Sequence, residues 1–154
     1  MPADPVWRTA WPPSWGARES VLEVTAADHA AALWAGLNLL ILLVLSLLVV
    51  RQRTKHKIQF GDGGEPELAQ AIRAFGNAAE YIPAGVVGLA VLALAGGHAI
   101  AVHVIGLALF LGRLIHAVGL SRSTGSSAMR SSGMVLTWVA YIFTVVMLLF
   151  SAMP

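Results

Sequence analysis

Residues 73–97 read RAFGNAAEYIPAGVVGLAVLALAGG, and the length of their uncharged part decides what kind of protein this is. The uncharged run from Tyr81 to Ala95 is about 15 residues, or about 22 Å of helix, short of the roughly 30 Å of hydrocarbon in a bilayer. A helix that crosses here must borrow residues before Tyr81. Doing so carries Glu80 and Asn77 into the bilayer and Arg73 to its edge, a costly placement for a carboxylate and an amide. Beyond the run, Gly96 and Gly97 mark a tight turn. The helix predicted to start near His98 meets Arg113 after about 15 residues, with His116 one turn later. Glu80 then lies about 24 Å from Gly96, and Arg113 about 22 Å from His98 on the returning helix, so the two charges share a depth.

Further out, the segment from Ala30 to Val50 carries no charge and is long enough to span, with Asp28 placed to cap it and Arg51 to end it. The stretch RQRTKHKIQFGDGGEPE, residues 51–67, starts basic and turns glycine-rich and acidic, the pattern of a surface loop, and Pro66 belongs beside the next helix start. A second loop, SRSTGSSAMRSS at residues 121–132, leads into a last uncharged span from about Ser131 to Met153, with Arg130 at its start. In all, 57% of the 154 residues are hydrophobic and 12% charged, with mean hydropathy +0.74. A soluble domain carries about 25% charged residues. The reading is one all-α, integral membrane four-helix bundle over residues 26–154. Residues 1–25 hold Pro2, Pro5, Pro12, Pro13, Trp7, Trp11 and Trp15 without an apolar run like a signal peptide. They read as a loose or interfacial arm, because tryptophan favours the headgroup level.

The absence of cysteine excludes disulfides, thiolate metal sites and a cysteine nucleophile, so thiol chemistry would need a thiol from the substrate. No Lys/Arg cluster is long enough for nucleic acid. Of the ten lysines and arginines, only Arg8 and Arg18 lie away from the two loops, so the positive-inside rule puts both loops in the cytoplasm and both termini outside. Such a chain fits a bacterial inner membrane.

Arg73, Asn77 and Glu80 stand at i, i+4 and i+7, within about 60° on one helix face, with Gln70 and Tyr81 on its flanks. Lipid cannot satisfy such a stripe. One reading is a lock, in which Glu80 pairs with Arg113 and Asn77 caps a neighbouring carbonyl. The other is a site for a zwitterionic ligand that forms many hydrogen bonds. The second accounts better for an arginine, an amide and a tyrosine gathered beyond a single ion pair. Asn38 reads as helix–helix glue. His98 and His103 sit toward the opposite face without companions, so no metal site is expected. His116 either joins the patch or ends at the interface.

The segment RAFGNAAEYIP, Arg73 to Pro83, resembles the signature of the MAPEG proteins, the membrane-associated proteins in eicosanoid and glutathione metabolism. The four-span layout from about Ala26 onward agrees. The resemblance implies a homotrimer that binds glutathione, as co-substrate, between subunits at the cytoplasmic side. It further implies a glutathione-dependent transferase or peroxidase acting on a lipophilic small molecule delivered by membrane lipid. Arg73, Asn77, Glu80, Tyr81 and Arg113 would hold glutathione, Glu80 taking its amino group and Arg73 a carboxylate. Arg130, followed by Ser131, best matches the arginine that stabilises the thiolate in the family, with Arg122 as the other candidate. A guanidinium beside sulfur favours the thiolate. Two departures stand out: Leu120 and Met134 occupy positions where tyrosine is expected. They leave open a non-catalytic membrane module for ligand sensing or helix–helix interaction.

Overall fold

The computed structural model describes residues 24–122 and 127–153, so most of the N-terminal arm lies outside the described residues. Four helices follow one another: α1 (Ala26–His56), α2 (Pro66–Leu94), α3 (Ala99–Arg122) and α4 (Ala128–Ser151). All four are long and apolar enough to cross a membrane, and the chain is an integral membrane four-helix bundle, as its hydropathy predicts.

The helix ends refine the sequence reading. Thr25, not Asp28, caps α1: its Oγ1 accepts from the Asp28 N–H at 3.2 Å, and Asp28 Oδ2 accepts from the Thr25 N–H at 2.8 Å. This reciprocal box satisfies two amide donors that a helix start otherwise leaves exposed. Nor does α1 stop at Arg51. It runs 31 residues, about 46 Å, and its last turns stand beyond a bilayer's hydrocarbon thickness. The basic stretch holds the helix together there, since Arg53, Lys55 and His56 oppose the negative end of the helix dipole. Lys57 ends it in the left-handed region, at φ 56°. Arg53 then donates to the carbonyls of Gln59 and Gly61, and Lys55 meets Glu67 at 2.6 Å, tying the loop to the start of α2. Pro66 takes the first turn of α2, where its missing N–H costs nothing. Gly96, at φ +78°, makes the turn between α2 and α3. Ser127 caps α4, so Arg130 lies in the first helical turn rather than before it.

α2 and α3 form the middle of the bundle: each touches all three other helices, whereas α1 and α4 share no contact among the described residues. Near the α2–α3 turn the core is apolar, built on Trp34, Leu89, Leu92, Val102, Ile105 and Leu109. Toward the opposite end the core divides. Ile41, Leu45, Ala74, Ala78, Ile82 and Leu120 close the α1–α2–α3 side with hydrocarbon. The α2–α3–α4 side instead encloses Asn77, Arg113, His116 and Thr137.

Candidate functional site

The approach of α3 to α4 sets the geometry of the polar side. Gly112 and Gly133 face each other so closely that a β-carbon on Gly133 would stand 2.6 Å from the His116 nitrogen and 2.7 Å from the Gly112 carbonyl oxygen. Backbones in contact bring short side chains within reach of the opposite helix, as small residues do in membrane bundles. On α4, Gly133, Thr137, Ala140 and Thr144 are the buried positions and form the face that meets the other helices.

Arg113 enters that space and is 1% exposed. Its Nε–H donates to Thr137 Oγ1 at 2.9 Å, and Nη1–H donates to Asn77 Oδ1 at 2.9 Å. Its guanidinium carbon lies 4.9 Å from the centre of the Tyr81 ring, and Met134 Sδ, a weak acceptor, is 3.8 Å from Nη2. The Thr137 hydroxyl in turn donates to the Gly133 carbonyl at 2.8 Å. The Tyr141 hydroxyl donates to the Tyr81 carbonyl, and the two rings stand 6.2 Å apart. A single buried cation thus ties together α2, α3 and α4.

The expected Glu80–Arg113 pair does not form. Arg113 is held by Asn77, which accepts from it instead of capping a carbonyl, while Glu80 faces Arg73 at 3.8 Å. The reason is angular: at 100° per residue Arg73 and Glu80 fall within about 20° of each other, yet about 40–60° to one side of Asn77. When Asn77 points inward, both charges turn to the outer face. Their side chains are 66% and 55% exposed. Gln70, one flank of the stripe, falls within about 20° of Asn77. It lies against α1, beside Leu45, Leu48 and Gln52.

A separate cavity of about 380 Å³ lies between α3 and α4, lined by His116, Ser127, Arg130, Ser131, Met134 and Trp138 among others. His116 Nδ1 is 2.8 Å from the Arg130 carbonyl, and because a carbonyl only accepts, Nδ1 carries the proton and Nε2 is left for another partner. Arg73, Arg113 and Arg130 all lie within electrostatic reach of this imidazole. Arg122 lines a different groove, against α1. Leu120, one of the two missing tyrosines, is buried in the apolar α1–α2–α3 cluster, and Met134 occupies the cavity wall beside Arg113.

Of the residues singled out from the sequence, Asn77, Tyr81 and Arg113 therefore meet inside the subunit, Arg73 and Glu80 meet on its surface, and Arg130 lines the cavity with His116. Thr137 and Tyr141 escaped notice. Thr137 could have been found from the spacing of Gly133, Thr137 and Thr144 along one face, and Tyr141 from its being one of only two tyrosines in the chain. One lesser reading also changes. Asn38 is fully buried but donates to the Trp34 carbonyl of its own helix at 2.8 Å, so it does not bridge helices. Its amide reaches the i−4 carbonyl more easily than a neighbouring helix. His103 Nδ1 accepts from the Trp34 indole N–H at 3.2 Å, a contact between α1 and α3 that supplies no metal ligand. Among the described residues, no group of three or more His, Asp or Glu side chains could hold a metal ion.

The sequence of these four helices matches a known family. The family model of the MAPEG family matches residues 31–150, from within α1 to the end of α4. This chain belongs to the MAPEG family. Among relatives, the inner membrane protein YecN of Escherichia coli (strain K12) is 40% identical over 115 residues, covering 75% of this chain and 86% of YecN. Its counterpart in a second Escherichia coli strain matches equally. Within this MAPEG chain, RAFGNAAEYIP forms the middle of α2, where it supplies both the inner lock and the outer charge pair.

Proposed function

We propose that this MAPEG protein binds glutathione and, as a homotrimer in a bacterial inner membrane with both loops in the cytoplasm, uses it in a transferase or peroxidase reaction on lipophilic electrophiles. The observation that carries the reading is the outer pair on α2. Arg73 and Glu80 stand at the membrane level inferred from hydropathy, mostly exposed, and 3.8 Å apart. Lipid cannot cover such a pair, so protein or a polar ligand must. Glutathione offers an ammonium for Glu80 and carboxylates for Arg73, both charge-assisted contacts. A second subunit would complete the enclosure.

The α3–α4 cavity supplies the chemistry. Arg130 favours the thiolate over the thiol, and that sulfur attacks an electrophilic carbon, forming a C–S bond as the leaving group or ring oxygen takes the electron pair. With a hydroperoxide, attack on the O–O bond gives a sulfenic acid and an alcohol, and a second glutathione releases water to give the disulfide. His116, with Nδ1 fixed on the Arg130 carbonyl, helps hold the α4 backbone that carries Arg130. Asn77, Tyr81 and Arg113 act from inside, fixing the rotation of α2 and with it the direction of Arg73 and Glu80.

Calorimetry on the detergent-solubilised protein with glutathione tests this. Binding in the wild type, weakened at least tenfold by Glu80→Gln and by Arg73→Ala, is expected. Arg130→Ala should bind glutathione but lose the ultraviolet absorbance of the thiolate. Equal affinity in wild type and Glu80→Gln would overturn the assignment. A second reading, a non-catalytic module, is favoured by the burial of Leu120 among hydrocarbon. Glutathione binding without turnover over a broad panel of electrophiles and hydroperoxides would select it.

A further inference from the structure

We infer a second, separate site: the groove between α1 and α3 holds one acyl chain of an anionic phospholipid, whose phosphate pairs with Arg122. The groove has a volume of about 430 Å³. Leu37, Leu40, Val44 and Leu48 of α1 and Leu114 and Val118 of α3 line its length, and Arg122 closes one end. No ion pair among the described residues involves Arg122, which is exposed at the last turn of α3.

Three observations select a lipid over a second protein chain. The first is length. Leu37 to Leu48 spans about 16 Å of helix, close to half the roughly 30 Å hydrocarbon core, which is the reach of one leaflet. The second is polarity. The apolar end lies toward mid-membrane and the cation stands at the last turn of α3, on the side of the loops, so the groove repeats the order of tail and head in the leaflet on that side.

The third is a polar compartment that continues the groove past Leu45, Leu48 and Ser121. Gln52, Glu67 and Gln70 line it, with a volume of about 430 Å³. Gln52 Oε1 has no hydrogen-bond donor among the described residues. Glu67 would repel a phosphate, but it is engaged by Lys55 at 2.6 Å. A head group that joins a phosphate to hydroxyl donors suits this wall, the phosphate on Arg122 and a hydroxyl toward Gln52. Phosphatidylglycerol has that chemistry. Phosphatidylcholine carries the phosphate but no donor, and its net charge is zero.

Native mass spectrometry of the full chain, reconstituted in vesicles of equimolar phosphatidylglycerol and phosphatidylcholine and extracted in mild detergent, reads the site directly. Wild type should retain one phosphatidylglycerol per chain, enriched about tenfold over phosphatidylcholine, the equivalent of one charge-assisted contact. Arg122→Gln should abolish the enrichment, and Val44→Trp, which fills the groove from its exposed wall, should lower retention of both lipids. Helical content by circular dichroism confirms that each variant is folded. Equal retention of the two lipids by wild type, or enrichment unchanged in Arg122→Gln, would refute the site. A Val44→Trp variant that loses oligomeric mass while its lipid retention stays unchanged would assign the groove to a second copy and overturn the inference.

Discussion

Replacing Asn77 with leucine removes one acceptor from a cation that has no access to water, while keeping the branching and heavy-atom count of the side chain. Arg113 is 1% exposed and makes two bonds at 2.9 Å, one to Asn77 and one to Thr137. A hydrogen bond to a charged group contributes about 1.5–3 kcal/mol, and the guanidinium left behind keeps its full desolvation cost, so Asn77→Leu should destabilise the bundle by about 2–3 kcal/mol. That amounts to a fall of roughly 4–12 °C in the midpoint of thermal unfolding. The assay is denaturant titration in micelles, followed by tryptophan fluorescence and far-UV circular dichroism. Arg113→Met gives the second corner of a double-mutant cycle. Once the cation is gone, Asn77→Leu should cost little more, leaving a coupling energy of about 1–3 kcal/mol between the two positions. Additive effects, or an Asn77→Leu variant within about 0.5 kcal/mol of wild type, would show that Arg113 does not lock α2 to α3 and would remove the argument for what orients Arg73 and Glu80.

Other outcomes follow from the same contacts. Thr137→Val should cost about 1.5–3 kcal/mol in the same titration, because it strips the Nε acceptor, whereas Thr137→Ser should stay near wild type. Gly133→Val should destabilise by at least about 1–3 kcal/mol, since its β-carbon meets backbone atoms of α3 that cannot move aside, and cross-linking between α3 and α4 should report their separation. Thr25→Ala should lower stability by about 1 kcal/mol through loss of the α1 cap, measured by the same unfolding midpoint. The chain has no cysteine, so single cysteines label cleanly. A membrane-impermeant maleimide applied to intact cells should label Met153→Cys and spare Asp62→Cys, and the reverse pattern would invert the topology drawn from the basic loops.

The sequence by itself determined the four helices and their order. Hydrophobic run lengths alone required α2 and α3 to carry charge into the membrane, because the residues between Tyr81 and Ala95 cannot cross it. Turns were legible for a similar reason: Pro66, Gly96 and Gly97 act through their own backbone geometry, whereas the cap of α1 fell on Thr25 rather than Asp28. The periodicity of Arg73, Asn77 and Glu80 also identified a single face of α2. What it could not fix was the rotation of that face. A shift of about 40–60° decides whether Asn77 or Glu80 points at Arg113, and that angle is smaller than the spread of the stripe itself. Tertiary contacts set it: the backbone approach of Gly112 and Gly133 admits Thr137 beside Arg113, the guanidinium then claims Asn77, and the two outer charges are left to each other. Depth follows from the free energy of transfer, which each residue contributes locally. Rotation follows from packing between helices, which no single helix encodes.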